Sequence, residues 1–314
     1  MRCVMNFFSL SFLLGVSVLS GLASASWIMI ILMMELGLFF FVFLCMEYNL
    51  LSLSRSCIKY FIVQSVSSLL LLLGGLMCFT LCNNTNQLAS LIFLVGIIMK
   101  LGAFPMLFWV APVFLELPFL LIGFVGCPLK VLPLMMYSNY YMSFSTPLSL
   151  INMNFVSLLS MVFGVSLGLY MKTIRGMLGA SSITHTGWFI LSIHSASIIK
   201  YFCCYTVSLI MLLVCLWSQN SLMGALNLMG LGGLPPFSVF VGKMIVISAS
   251  LSCNISEVFI MLAALVSAVS LFYYLKFSFN MYLYWSNNMV YVLGPSSYLF
   301  LLINFGFALL FMYI

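Results

Sequence analysis

The chain has 314 residues, 65% of them apolar and only 4% charged, with a formal net charge of +6 and a mean hydropathy of +1.28. A soluble domain carries about 25% charged residues, so a globule covered by water is excluded. Backbone groups in lipid must pair internally, and the apolar runs are continuous rather than alternating, so the composition predicts an all-α polytopic membrane protein.

About eleven transmembrane helices are expected. The first five fall near residues 4–24, 27–47, 57–81, 88–110 and 113–137. Three more follow at 148–171, 176–197 and 201–219, then a long broken segment at 222–251, a span at 256–280 and a last helix at 290–314. The first run has one basic residue ahead of it and is followed at once by a second span, so it reads as a retained helix rather than a signal peptide. The longest polar interval, Glu47–Lys59, is far short of the roughly 50 residues of a small domain. The ten cysteines lie mostly inside apolar runs and form no CxxC pair, which predicts inert buried thiols rather than a zinc or iron–sulfur site.

Sorting Lys and Arg by loop puts Arg2, Arg55, Lys59, Lys172, Arg175 and Lys276 on one side of the membrane and only Lys200 on the other. The positive-inside rule then places the amino terminus inside and, with an odd number of spans, the carboxyl terminus outside. The net positive charge therefore belongs to an inner face beside anionic lipid. No basic run with interleaved aromatics suggests nucleic acid.

Four charges remain inside spans: Glu35, Lys100, Lys130 and Lys243. Lys100 sits about ten residues from either end of its run, so roughly 15 Å from either surface, beyond the reach of a snorkelling stem. Holding a charge there costs on the order of 3 kcal/mol or more. Two readings compete, a lysine paired for packing and a polar group facing a hydrated path. The second is adopted, because a lysine can release its proton where an arginine stays charged. Glu35, in WIMIILMMELGLFFFVFL, is the one carboxylate deep in any span. Beside a lysine it would set how firmly that lysine holds its proton; alone it would be a protonated orphan. Lys130, in GCPLKVLPL, is bracketed by Pro128 and Pro133, whose freed carbonyls could serve it.

Two spans are interrupted. Pro105 follows Lys100 in MKLGAFPMLFWV, and Gly232, Gly233, Pro235 and Pro236 precede Lys243 in LGGLPPFSVFVGK. Interrupted spans that carry ionisable groups are a pointer to a transporter's midplane site. They are the fourth and the ninth, which predicts two five-helix units, 4–137 and 148–280, the second inverted, with 290–314 as an added C-terminal helix. The letters do not repeat plainly, since lysine precedes proline in one unit and follows it in the other. His185, in SSITHTGWF, reads equally as a hydrogen-bonded core residue and as a proton relay; His194 lies near a helix end and has no role. Two histidines are too few for haem or copper ligation, and neither a GxGxxG turn after a strand nor a Walker A sequence is present. Any redox chemistry is expected elsewhere.

The stretches WIMIILMMEL, KYFIVQSVSS (59–68), MKLGAFPMLFWV, CPLKVLP, SSITHTGW (181–188) and LGGLPPFSVFVGK together resemble, in order and over about residues 27–243, the antiporter-like membrane-arm subunits of respiratory complex I, the NADH–ubiquinone oxidoreductase. The eleven-span count is similar to the shortened animal-type chain rather than the fourteen-helix bacterial form. The resemblance implies a non-redox subunit of the mitochondrial inner membrane that translocates protons, with its amino terminus on the matrix side and its carboxyl terminus on the intermembrane side. It implies Glu35 and Lys100 as a coupling pair, Lys130 as the central relay lysine, Lys243 as the outlet lysine and His185 near the central polar axis. No cofactor is expected in this chain; NADH, FMN, iron–sulfur clusters and ubiquinone belong to other subunits. The implied partners are neighbouring antiporter-like and small hydrophobic subunits and membrane lipids. The chain departs from the family pattern at Arg55, where an acidic residue is usual, at Leu107 and Ala111-Pro112 in place of histidine and Pro-Glu, and at Gly176 in place of lysine. None of these removes a mid-membrane charge. The alternatives are a membrane-arm scaffold without its own proton path and a stand-alone cation–proton antiporter.

Overall fold

The computed structural model describes residues 2–48, 51–79, 87–144, 147–195, 197–253, 255–287, 304 and 306–307. All regular structure among them is helical. The chain divides into two compact units, Met1–Pro147 and Leu148–Ile314.

The first unit holds α1 (Arg2–Ala23), α2 (Trp27–Met46), α3 (Leu51–Phe79), α4 (Gln87–Leu101), α5 (Val110–Glu116), α6 (Phe119–Gly126) and α7 (Pro128–Phe144). Successive long helices pair, and α7 packs against α1, α2 and α4. The α3–α4 contact is close enough that a Cβ on Gly74 would lie 2.6 Å from the Phe93 backbone nitrogen. Small residues permit this approach where lipid supplies no hydrophobic drive for helices to associate. Phe41, Tyr60 and Trp109 follow one another edge to face, with ring centroids 4.9 and 5.5 Å apart.

The second unit holds α8 (Pro147–Tyr170), α9 (Ile174–His194), α10 (Ile198–Trp217), α11 (Ser221–Gly232), α12 (Ser238–Ser252) and α13 (Glu257–Asn287). Helix α10 neighbours α9, α11 and α12, and α11 lies along α13. Among the described residues seven helices are long and apolar enough to cross a membrane. Helix α9, at 21 residues, is not one of them, for a physical reason. Every residue from Gly176 to Ile193 is buried, so this helix faces protein on all sides and tolerates Ser181, Ser182, Thr184, His185 and Thr186. Thr173 caps its start by accepting a hydrogen bond from the Gly176 N–H at 3.2 Å.

Two expected span boundaries move. The fourth span does not end at 110: it stops at Leu101, resumes as α5 and ends at Glu116. The next apolar span is Phe119–Met142 rather than 113–137. The signal is Pro118, which drives Leu117 into an extended conformation, ψ 139°. A further interruption at Cys127 separates α6 from α7, which begins on Pro128, a position where the missing N–H costs nothing. The expected last helix, 290–314, lies outside the described residues apart from 304 and 306–307.

Both long interruptions share a local device. The helix ends at a left-handed glycine, Gly102 with φ +69° or Gly233 with φ +87°, and a proline follows three residues later, Pro105 or Pro236. Glycine adopts that conformation without a Cβ clash, and proline cannot donate the next helical hydrogen bond. Gly232, expected within the break, is instead the last residue of α11.

Candidate functional site

In the first unit, α2 and α4 bring Glu35 and Lys100 together, with Oε1 and Nζ 3.9 Å apart. At that separation the attraction is about 4 kcal/mol for an effective dielectric of 20, against which desolvation must be set. The contact is an ion pair without a hydrogen bond; Glu35 Oε1 has no hydrogen-bond partner. The lysine side chain is 3% exposed and the glutamate 25%, so Glu35 opens to the outside of the chain while Lys100 is sealed. Beside Lys100 lies a cavity of about 20 Å³ that Tyr60, Gln64, Lys100 and the α7 residues Pro128, Leu129 and Pro133 help to line. This is room for a water molecule.

Lys100 stands in the last turn of α4, where the helix dipole favours a cation. The carbonyls freed at that end are answered individually. Ile98 O accepts from the Gly102 and Ala103 N–H groups, Met99 O from the Trp109 indole at 3.1 Å, and Lys100 O from the Gln64 amide at 3.3 Å. Lys130, 5% exposed, sits in the first turn of α7 with its N–H on Cys127 O. Its neighbours line the cavity, but Lys130 itself does not.

In the second unit, Lys243 is buried and donates to Gly232 O at 2.9 Å, the terminal carbonyl of α11. Its Nζ lies 5.9 Å from the centre of the Trp188 ring, within cation–π range. His185 is 2% exposed and lies between two phenols, Nδ1 at 2.8 Å from Tyr201 Oη and Nε2 at 3.4 Å from Tyr274 Oη. His185, Trp188, Lys243 and Tyr274 line one cavity of about 10 Å³, close to the size of a single water.

Each unit thus gathers a buried lysine, a broken helix and a water-sized space with polar groups in its wall. Such a group can hold a proton and exchange it with ordered water, because lysine and histidine, unlike arginine, exist in both protonation states. The opposite order of lysine and proline in the two sequences turns out to be superficial. Lys100 belongs to the C-terminal turn of α4, and Lys243 reaches back across the break to the C-terminal carbonyl of α11. Both lysines are thus tied to the same end of the first half-helix, Lys100 by its place in the last turn and Lys243 by its hydrogen bond, and that end carries partial negative charge.

Five participants escaped the sequence reading: Gln64, Trp109, Trp188, Tyr201 and Tyr274. For Gln64 a signal existed, since Gln64, Ser67 and Ser68 are all buried and share one face of an apolar helix. Trp109 and Trp188 lie inside MKLGAFPMLFWV and SSITHTGW, where nothing separates them from other aromatics, and Tyr201 and Tyr274 are aromatic residues among many.

A family described as "NADH:quinone oxidoreductase/Mrp antiporter, TM" matches residues 24–224. NADH-ubiquinone oxidoreductase chain 2 of Albinaria caerulea is 37% identical over 305 residues, covering 96% of this chain and 97% of that protein. The chain 2 protein of Anopheles gambiae is 29% identical over 306 residues, covering 88% and 86%. Among solved structures, a chain of respiratory complex I from Thermus thermophilus aligns with a TM-score of 0.79 at 18% identity, covering 98% of this chain and 77% of that one. A chain of the Mrp complex from Dietzia sp. DQ12-45-1b aligns with a TM-score of 0.77 at 17% identity, covering 85% and 59%. The solved structures establish the fold, while the family match and the sequence relatives fix the lineage: the chain belongs to the NADH:quinone oxidoreductase/Mrp antiporter family, among the NADH–ubiquinone oxidoreductase chain 2 sequences.

Proposed function

We propose that this chain is a non-redox, antiporter-like subunit of a mitochondrial NADH–ubiquinone oxidoreductase that moves protons across the inner membrane. The observation carrying the proposal is the Glu35–Lys100 ion pair at the end of a broken helix, beside a cavity large enough for water. Lys100 loads from the matrix side, where the amino terminus lies, with Glu35 setting its hold on the proton. Charge then passes through Lys130 and His185, and Lys243 releases outward. The two units are inverted counterparts within an eleven-helix plan; the shared Gly-x-x-Pro interruption supports that assignment. NADH, FMN, iron–sulfur clusters and ubiquinone belong to other subunits. Glu35, a quarter exposed in mid-span, supports a neighbouring membrane-arm subunit on that face, since a carboxylate open to lipid is costly.

Lys243 offers a second reading, because its bond to Gly232 O is also what a purely structural latch would make. Lys100→Ala and Lys243→Ala separate the two in purified complex reconstituted into vesicles. A relay predicts normal assembly and at least about a hundredfold slower proton transfer through this chain, the typical worth of a positioned acid or base. Failed assembly, with parental protons per electron pair in whatever complex forms, makes the chain a scaffold.

A further inference from the structure

We infer that Tyr201, His185 and Tyr274 form a hydroxyl–imidazole–hydroxyl proton wire, in which His185 acts as a neutral tautomer switch feeding the Lys243 cavity. The inference rests on the proton-translocation reading above and deepens it by naming the atoms that carry the proton in the second unit. Three helices supply the wire: Tyr201 from α10, His185 from α9 and Tyr274 from α13. All three side chains are essentially sealed, at 0%, 2% and 1% exposure.

The chemistry follows from the number of hydrogens. A neutral imidazole carries one N–H and one lone pair, and each ring nitrogen here faces a phenol that either donates or accepts. Both tautomers therefore satisfy the same pair of contacts. Start with the proton on Nε2, which donates to Tyr274 Oη, while Tyr201 Oη–H donates to Nδ1. A proton arriving at Tyr201 oxygen sends the phenol's own hydrogen to Nδ1. The Nε2 hydrogen passes to Tyr274 oxygen, and the hydrogen already on Tyr274 leaves through the cavity to the Lys243 amine. Every O–H or N–H bond formed is matched by one broken, and the ring never becomes a cation. Because the tautomer has switched, the Nε2–H form must be restored before the next proton moves, so the wire passes one proton at a time.

Other hydroxyls around the same cavity lack this capacity. Thr184, Ser267 and Ser270 each give their single hydrogen to a backbone carbonyl three residues back, at 2.7, 2.8 and 2.6 Å. They keep only acceptor lone pairs. The Tyr273 ring packs on that of Tyr274, with centroids 4.5 Å apart. Tyr205 packs beside the imidazole, its ring centroid 4.7 Å from that of His185 and the two planes tilted by 45°.

His185→Gln tests the wire in purified complex within vesicles. Glutamine offers one donor and one acceptor, so it keeps contacts to both phenols, yet it cannot exchange tautomers. Tyr274→Phe removes only a hydroxyl. Each variant is expected to assemble at the parental level and to lower proton transfer through this chain about a hundredfold, the scale of a lost general acid–base group. Parental transfer in His185→Gln overturns the wire, since a structural histidine would tolerate that change. Lys243→Met measured alongside keeps the two readings apart. Slow transfer in Lys243→Met with parental transfer in His185→Gln rejects the wire alone, whereas parental transfer in both rejects the proton path itself.

Discussion

The two lysine sites solve the same problem with different materials. In the first unit a carboxylate on a separate helix answers the ammonium, and the helix end is finished by an indole and a side-chain amide. In the second, the ammonium itself finishes the helix end by binding Gly232 O, with an aromatic face beside it. Glu35 and Lys100 form an ion pair between α2 and α4. A cation placed at a helix C-terminus is already favoured by the backbone, so a carboxylate is an addition to the site. What the carboxylate adds is dependence on a second group, and hence a means by which events at Glu35 reach Lys100.

The sharpest way to break this comparison is to remove each ammonium and measure stability. Lys100→Met strands Glu35, which should cost about 3 kcal/mol, the lower end for a broken buried pair because the glutamate is partly exposed. Lys243→Met keeps the stem beside Trp188 and loses a single hydrogen bond, leaving one carbonyl unsatisfied, at about 1–2 kcal/mol. Thermal dissociation of the purified complex, followed by loss of this chain, reads both. Adding Glu35→Gln to Lys100→Met should restore most of the loss. Equal losses at the two lysines, or no recovery in the double variant, would show that the carboxylate does not define the first site.

A smaller effect probes the breaks. Alanine at Gly102 or Gly233 must adopt the left-handed conformation, costing about 1–2 kcal/mol. The surroundings then separate the two. A Cβ on Gly102 meets Val110 Cγ2 at 2.5 Å, a purely steric conflict, whereas a Cβ on Gly233 meets Lys243 Nζ at 3.0 Å. Gly102→Ala should therefore lower stability while leaving proton transfer per assembled complex unchanged. Gly233→Ala should displace the ammonium from Gly232 O and lower both. Unchanged transfer in Gly233→Ala would mean that the latch has no part in function.

These contrasts mark how far a one-dimensional reading reaches. Lys100, Lys243 and the two interruptions stand out because a charge, a proline or a pair of glycines inside an apolar run violates a strong local rule. The run from Leu101 to Pro118 was harder, because a half-helix of seven residues such as α5 has no periodicity long enough to register. Helix α9 was legible as a span only from its place between two others, its polar side chains being permitted by surrounding protein that no local window contains. Pairings were least legible of all. Glu35 with Lys100 spans 65 positions and Tyr274 with His185 spans 89, and one chain alone carries no record of which distant residues meet.

The smallest effect concerns the finishing groups of α4. Trp109→Phe keeps an aromatic ring beside Tyr60 and deletes the N–H that serves Met99 O. Met99 O also receives a weaker bond from the Gly102 N–H at 3.3 Å, so the carbonyl is not orphaned and the loss should stay near 1 kcal/mol. Gln64→Leu differs, because the Gln64 amide is the group that the structure places on Lys100 O, and it also lines the cavity. Its loss takes a polar wall from the space beside the ammonium, so transfer should slow even where thermal dissociation shifts no more than in Trp109→Phe. If Gln64→Leu costs stability alone, the first cavity is packing rather than a proton entrance, and Lys100 must load from another side.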